Sequence, residues 1–133
     1  MSKKIRVTTP LVAEAAPGLW SNCLVVGDAV YFSGLTSRAN DGETIDGADS
    51  YEQAKAIFSK FKALIEAAGG KMDDIVTLTV FVTDIKHNQG VWKARREFFT
   101  GDFPACALVV VSGLAKPEIL VEIQGQARLG ASA

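Results

Sequence analysis

Histidine occurs once in these 133 residues and cysteine twice. With only His87 and no Cys-x-x-Cys, the chain has too few ligands for a structural zinc site. Two cysteines, Cys23 and Cys106, do not make a disulfide framework. In a reducing compartment both are expected to be thiols. Charge of one sign is also missing: 14 Lys and Arg stand against 15 Asp and Glu, a net of −1. Nothing therefore draws the chain to nucleic acid or an anionic membrane by long-range charge. No stretch approaches the ~20 apolar residues that span a bilayer. Residues 1–6 carry the charges of a signal peptide, but Thr8, Thr9 and Pro10 interrupt any apolar core after them. The mature chain is expected to start at or near Met1, in the cytoplasm. There is no Gly-x-Gly-x-x-Gly, Walker loop, His-Glu-x-x-His or Gly-x-Ser-x-Gly. Linkers, charge blocks and repeats are absent too, so residues 1–133 read as one domain.

What is present is an ordered core: 48% of residues are hydrophobic and 22% charged, which excludes disorder. Lys4 to Thr8 is a short candidate strand. Cys23 to Val26 and Ala29 to Phe32 flank Gly27-Asp28, a hairpin signal, and Gly34 closes the second run. Residues 37–49 are loop chemistry. Ser50 and Gln53 read as a capping box. Ala54, Ile57, Phe58, Phe61, Leu64, Ile65 and Ala68 then form one apolar helical stripe. Lys55, Lys60, Lys62 and Glu66 lie off it, and Gly69-Gly70 ends the helix.

Ile75 to Thr83 alternates as a strand, with one face apolar and the other mostly threonine. A second helix is expected from about Asn88 to Phe99, with Val91, Ala94 or Arg95, and Phe98 inward. Ala107 to Val111 and Ile119 to Ala127 close the chain as strands. The order β-β-β-α-β-α-β-β implies an α+β fold: a mixed sheet with two helices on one face. The other face would carry threonines, Phe81, Glu122 and Gln124. That face is too apolar in places for bare solvent, so an oligomer is expected.

Four residues offer chemistry. Glu122 interrupts a strand between Val121 and Ile123. Facing a pocket, it would be half-desolvated, with a raised pKa suited to proton transfer; on an outward face it would be an ordinary surface glutamate. Cys106 is either a buried inert thiol or a nucleophile, and the latter requires a base or cation that is not evident in the sequence. Arg38, in the loop after Gly34, would bind a carboxylate or simply be solvated. His87, at a helix start, reads as exposed rather than as a catalytic base.

Several strings, in order, resemble the Rid proteins, also called the YjgF or reactive-intermediate deaminase family. They are Val30-Tyr31-Phe32-Ser33-Gly34, Thr79-Val80-Phe81-Val82-Thr83-Asp84, Phe98-Phe99 before Phe103-Pro104-Ala105, and Val121-Glu122-Ile123. The likeness covers about residues 4–128. It implies a chorismate-mutase-like fold and a homotrimer with a central barrel, its sites in clefts between subunits. It also implies hydrolysis of small enamines and imines without metal or cofactor. An arginine holds the substrate carboxylate, and a glutamate positions water or moves protons.

Carried over by position, Glu122 is the catalytic glutamate, and Ser33 and Gly34 are the Ser-Gly turn at the cleft. Cys106 stands where the family's Pro-Ala-Arg string has arginine. Trp20 replaces a cleft tyrosine and Trp92 an asparagine of the second helix. The resemblance thus implies a divergent member with substrate-binding positions Cys106, Ser33, Gly34, Trp20, Trp92 and Arg38. Its substrate would be larger or flatter, such as one of the aminomuconate type, and Arg38 or Arg95 would supply a displaced cation. The alternative is a trimer that binds a small molecule and lost catalysis along with the arginine. Neither reading calls for nucleic acid or membrane as a partner.

Overall fold

The computed structural model describes residues 3–132. Met1, and with it the expected start of the mature chain, lies outside the described residues. The expected order of elements is present: β1 (Lys4–Arg6), β2 (Cys23–Val26), β3 (Ala29–Leu35), α1 (Ser50–Ala67), β4 (Ile75–Val82), α2 (Asn88–Phe98), β5 (Ala105–Val110) and β6 (Val121–Arg128). The strands form one mixed sheet in the order β1-β2-β3-β6-β4-β5. Only β4 and β5 run parallel, and α2 makes the crossover that such a pair requires. Among the described residues, no helix is long and apolar enough to cross a membrane.

The β2–β3 hairpin turns on Gly27, whose φ of 63° is open to glycine at little steric cost. Helix α1 begins one residue away from the expected cap. Asp49 is the N-cap and accepts from the Glu52 amide at 2.8 Å, while Glu52 reaches back to the Ala48 amide. Ser50 is the first helical residue and is buried. Gln53, expected in the cap, instead turns inward. Its amide nitrogen donates to the carbonyls of Gly47 and Glu118, and its oxygen accepts from the Leu120 amide at 2.9 Å. It thereby ties α1 to the entry of β6. At the other end, Gly69 and Gly70 donate back to Glu66 and Ile65, closing the helix as a glycine terminus does.

The stripe of α1 supplies the core. Ile57, Phe58, Phe61, Leu64 and Ile65 are fully buried, each worth about 1.5–3 kcal/mol on transfer from water. Phe58 is the hub of an aromatic cluster with Phe61, Phe98 and Phe99, and Phe32 meets Phe61 edge-on at 4.7 Å. Helix α2 lies beside α1. A Cβ at Gly90 would strike Ser50 and the Tyr51 backbone, so the two helices approach as closely as glycine permits.

Val121, Ile123 and Ala127 of β6 and Leu78, Val80 and Val82 of β4 face these helices and are buried. On the opposite face stand Thr77, Thr79, Phe81, Glu122, Gln124 and Gln126, with Tyr31 and Val109 exposed beside them. Among the described residues, no helix covers this second face.

Candidate active site

The site is built on an irregularity of β3. Phe32 pairs with Gly125 and Leu35 with Ile123, so two residues of β3, Ser33 and Gly34, stand opposite one residue of β6. This is a β-bulge, which bends its strand and re-aims the side chains around it. It is anchored from outside the pair. The Ser33 amide donates to the Asn22 carbonyl at 3.0 Å, and the Ser33 hydroxyl donates to the Ser21 carbonyl at 2.5 Å.

At the bulge, Gly34 meets Glu122. A Cβ added to Gly34 would collide with the Glu122 carboxyl, so the missing side chain makes the space this carboxyl occupies. Burial alone raises the Glu122 pKa from its ordinary value. A carboxyl held toward its protonated form in this way is suited to moving protons.

Glu122 opens into a cavity of about 590 Å³. Trp20, Ser33, Gly34 and Arg38 line it as well, so five of the expected site residues share one cavity. The Trp20 indole donates to Asn22 Oδ1 at 3.2 Å, which fixes the ring at the rim. Asn22 in turn donates to the Ala13 carbonyl and to Glu14. The Glu14 carboxylate is paired with Arg6 at 2.7 Å. The Arg38 guanidinium donates to the Gly42 carbonyl at 3.4 Å and has no carboxylate partner among the described residues.

Two cavity residues escaped the sequence reading. Asn22 is polar, nearly fully buried, and signalled by no motif. The spacing places Lys60 off the apolar stripe of α1; in the structure it is nevertheless partly buried, lines the cavity, and donates to the Thr36 and Arg38 carbonyls at 2.7 and 2.6 Å. Burial pushes its pKa below the ordinary lysine value; Asp46 opposes the shift and Arg38 adds to it. The signal was there in the spacing, because Gln53, Ile57, Lys60 and Leu64 recur at four, three and four residues along one flank of the stripe.

Trp92 and Cys106 do not line this cavity. Trp92 is 45% exposed on α2, and Cys106 is exposed on the outermost strand, β5. The cation that the sequence did not reveal beside Cys106 is Arg95, whose Nη2 donates to Sγ at 3.3 Å. Arg95 Nε is buried without a partner. The other thiol, Cys23, is fully buried and pushed up to about 12 by desolvation and by Glu14. Among the described residues, no group of three or more His, Cys, Asp and Glu is placed to hold a metal ion.

Known proteins share this fold. The family model described as endoribonuclease L-PSP matches residues 11–129. A protein of Dermatophagoides farinae named 2-iminobutanoate/2-iminopropanoate deaminase is 34% identical over 119 residues, covering 87% of this chain and 90% of that one. A crystal structure of a protein of unknown function from Pseudomonas aeruginosa superposes with a TM-score of 0.85 at 39% identity, over 98% of this chain and 95% of that one. A Rid-family protein from Yersinia pestis, YyfA, also of unknown function, superposes at 0.85 with 29% identity, over 96% of this chain and all of the other. With the family model spanning nearly the whole chain and Rid structures matching its fold throughout, the chain belongs to the Rid family, the family of the L-PSP model.

Proposed function

We propose that the chain hydrolyses an enamine or imine to a carbonyl compound and ammonia, in the cytoplasm, at the Glu122 cavity of a homotrimer. The observation that carries this reading is the half-buried Glu122 carboxyl, seated against Gly34 and open to a cavity of small-molecule size. The name of the Dermatophagoides relative supports the same chemistry.

The reaction needs a proton carrier and a water. The enamine first gains a proton at carbon and loses one from nitrogen, which makes it the imine. Water then bonds through oxygen to the imine carbon while the C=N pair moves to nitrogen. Glu122 takes a proton from that water and returns it to nitrogen. The hydroxyl proton is then passed to nitrogen, the C–N bond breaks, and ammonia leaves as C=O forms. One water enters and one ammonia departs. An imine carbon is electrophilic in itself, so the mechanism calls on no metal or organic cofactor.

Arg38 is the same-chain cation for a substrate carboxylate, Ser33 and Gly34 shape the wall, and Trp20 offers a flat surface at the rim. A cavity of about 590 Å³ leaves room for a substrate larger than a three-carbon imine, of the aminomuconate type. Trp92 and Cys106 join such a site only from a neighbouring protomer. Although the family description names RNA cleavage, a net charge of −1 gives little basis for binding a polyanion.

The test is ammonia release from enamines generated in situ, from 2-aminoacrylate to larger unsaturated amino acids. The wild type should exceed the buffer rate, and Glu122→Gln should lower that rate by roughly 10²-fold or more. A wild type no faster than buffer on any of them would favour the non-catalytic binding trimer, which the Cys106 replacement already makes a distinct reading.

A further inference from the structure

The charges in the cavity do not cancel. Four ionisable side chains line it: Glu14, Arg38, Lys60 and Glu122. Glu14 is neutralised by Arg6. Glu122 is shifted toward its uncharged form. Arg38 and Lys60 form no ion pair among the described residues. Asp46, whose charge acts on Lys60, lines a second cavity that Lys60 and Arg38 also border, and is not among the lining residues of the first. Arg38 and Lys60 are thus two cationic side chains of the Glu122 cavity without an ion-pair partner among the described residues.

Lys60 is also placed to use its charge. An ammonium has three N–H donors. Two are spent on the Thr36 and Arg38 carbonyls, and the third has no acceptor among the described residues. Both carbonyls belong to cavity-lining residues, so the nitrogen is held against the cavity wall rather than extended into solvent. The clamp also fixes the backbone of Arg38, next to its own guanidinium.

We propose that Lys60 is an anion-binding residue of the Glu122 cavity. With Arg38 it forms a cationic corner that takes the carboxylate of the ligand from within one chain, so no arginine from the β5 edge is required. The inference rests on the imine reading for its choice of probe. The ligand class is an enamine or imine bearing a carboxylate close to the reacting carbon, and the corresponding 2-keto acid is its product.

The probe is pyruvate, compared with its neutral analogue pyruvamide, by calorimetric titration of the full chain at fixed pH and ionic strength. The wild type should prefer pyruvate by about tenfold or more, the scale of one charge-assisted hydrogen bond. Lys60→Met should bring the ratio close to one, and Lys60→Arg should keep most of it. Because Lys60→Met also removes the loop clamp and can fail to fold, Lys60→Gln provides a second reading: it keeps an N–H donor, loses the charge, and should lose the preference. An unchanged ratio in a folded Met or Gln variant would overturn the proposal, as would a wild type with no preference. Turnover plays no part in this measurement, so a chain inactive on every enamine would defeat the deaminase reading and leave the binding comparison intact.

Discussion

Glu122 and Gly34 divide one space between them, and the carboxyl is half-desolvated because of it. Burial disfavours the ionised form, so the folded chain holds this proton more tightly than the unfolded chain does. Linkage then fixes the sign. The contribution is fully present below the ordinary glutamate range and is lost as pH rises through the raised folded value. Glu122→Gln cannot ionise. It should therefore melt above the wild type at pH 7, with the gap closing toward pH 4, in paired thermal melts. A gap that stays constant with pH would mean that Glu122 is solvated in the folded chain.

Single residues were unevenly legible. Glu122 stood out in the sequence because it is a carboxylate flanked by Val121 and Ile123 in a strand. For Lys60 the spacing gives a place on the flank of the α1 stripe but not the cavity. Its long stem lets an outer-flank position reach inward, and nothing in the string shows which loop folds over it.

At the level of elements, patterning carried most of the fold. The apolar stripe of α1, the alternation of β4 and the Gly27-Asp28 turn all reappear in the structure. Where the reading slipped, the reason was a partner far away in sequence. Gln53 looked like half of a cap because of its spacing from Ser50. Its actual partners include Glu118 and Leu120, 65 and 67 residues on. Replacing it with alanine removes its hydrogen bonds to the Gly47 and Glu118 carbonyls and from the Leu120 amide, each worth about 0.5–1.5 kcal/mol net. Gln53→Ala should lower the chemical-denaturation midpoint by a matching amount. Ser50→Ala, which removes a side chain that is not the cap, should cost less. Equal losses would mean that the clamp contributes nothing beyond packing. The bulge at Ser33 and Gly34 was also illegible, because register is a property of two strands and the string shows only one.

For the whole molecule, the open sheet face is the unresolved surface. Val76, Tyr31 and Val109 are each at least 40% exposed on or beside a face that also carries Phe81 and Glu122. The face is apolar enough to favour cover, yet polar enough to mark a site at its border. A closed homotrimer would cover it and bring Trp92 and Cys106 of one protomer toward the Glu122 cavity of the next. Sedimentation equilibrium at micromolar concentration should give three times the chain mass. A stable monomer there would contradict the assembly, and with it any role for Trp92 and Cys106 in the site.

Strand β3 is one residue longer than its partner requires between Phe32 and Leu35. A chain shortened by that one residue would pair without interruption, and its hydrophobic pattern beyond the bulge would stay in phase with the core. Such a chain would have a more regular sheet. It would also lose the notch that receives Glu122 and one wall of the cavity. Sheet regularity and the cavity are therefore opposing demands on the same few atoms, and the Asn22 and Ser21 carbonyls are the contacts that hold the extra length in place.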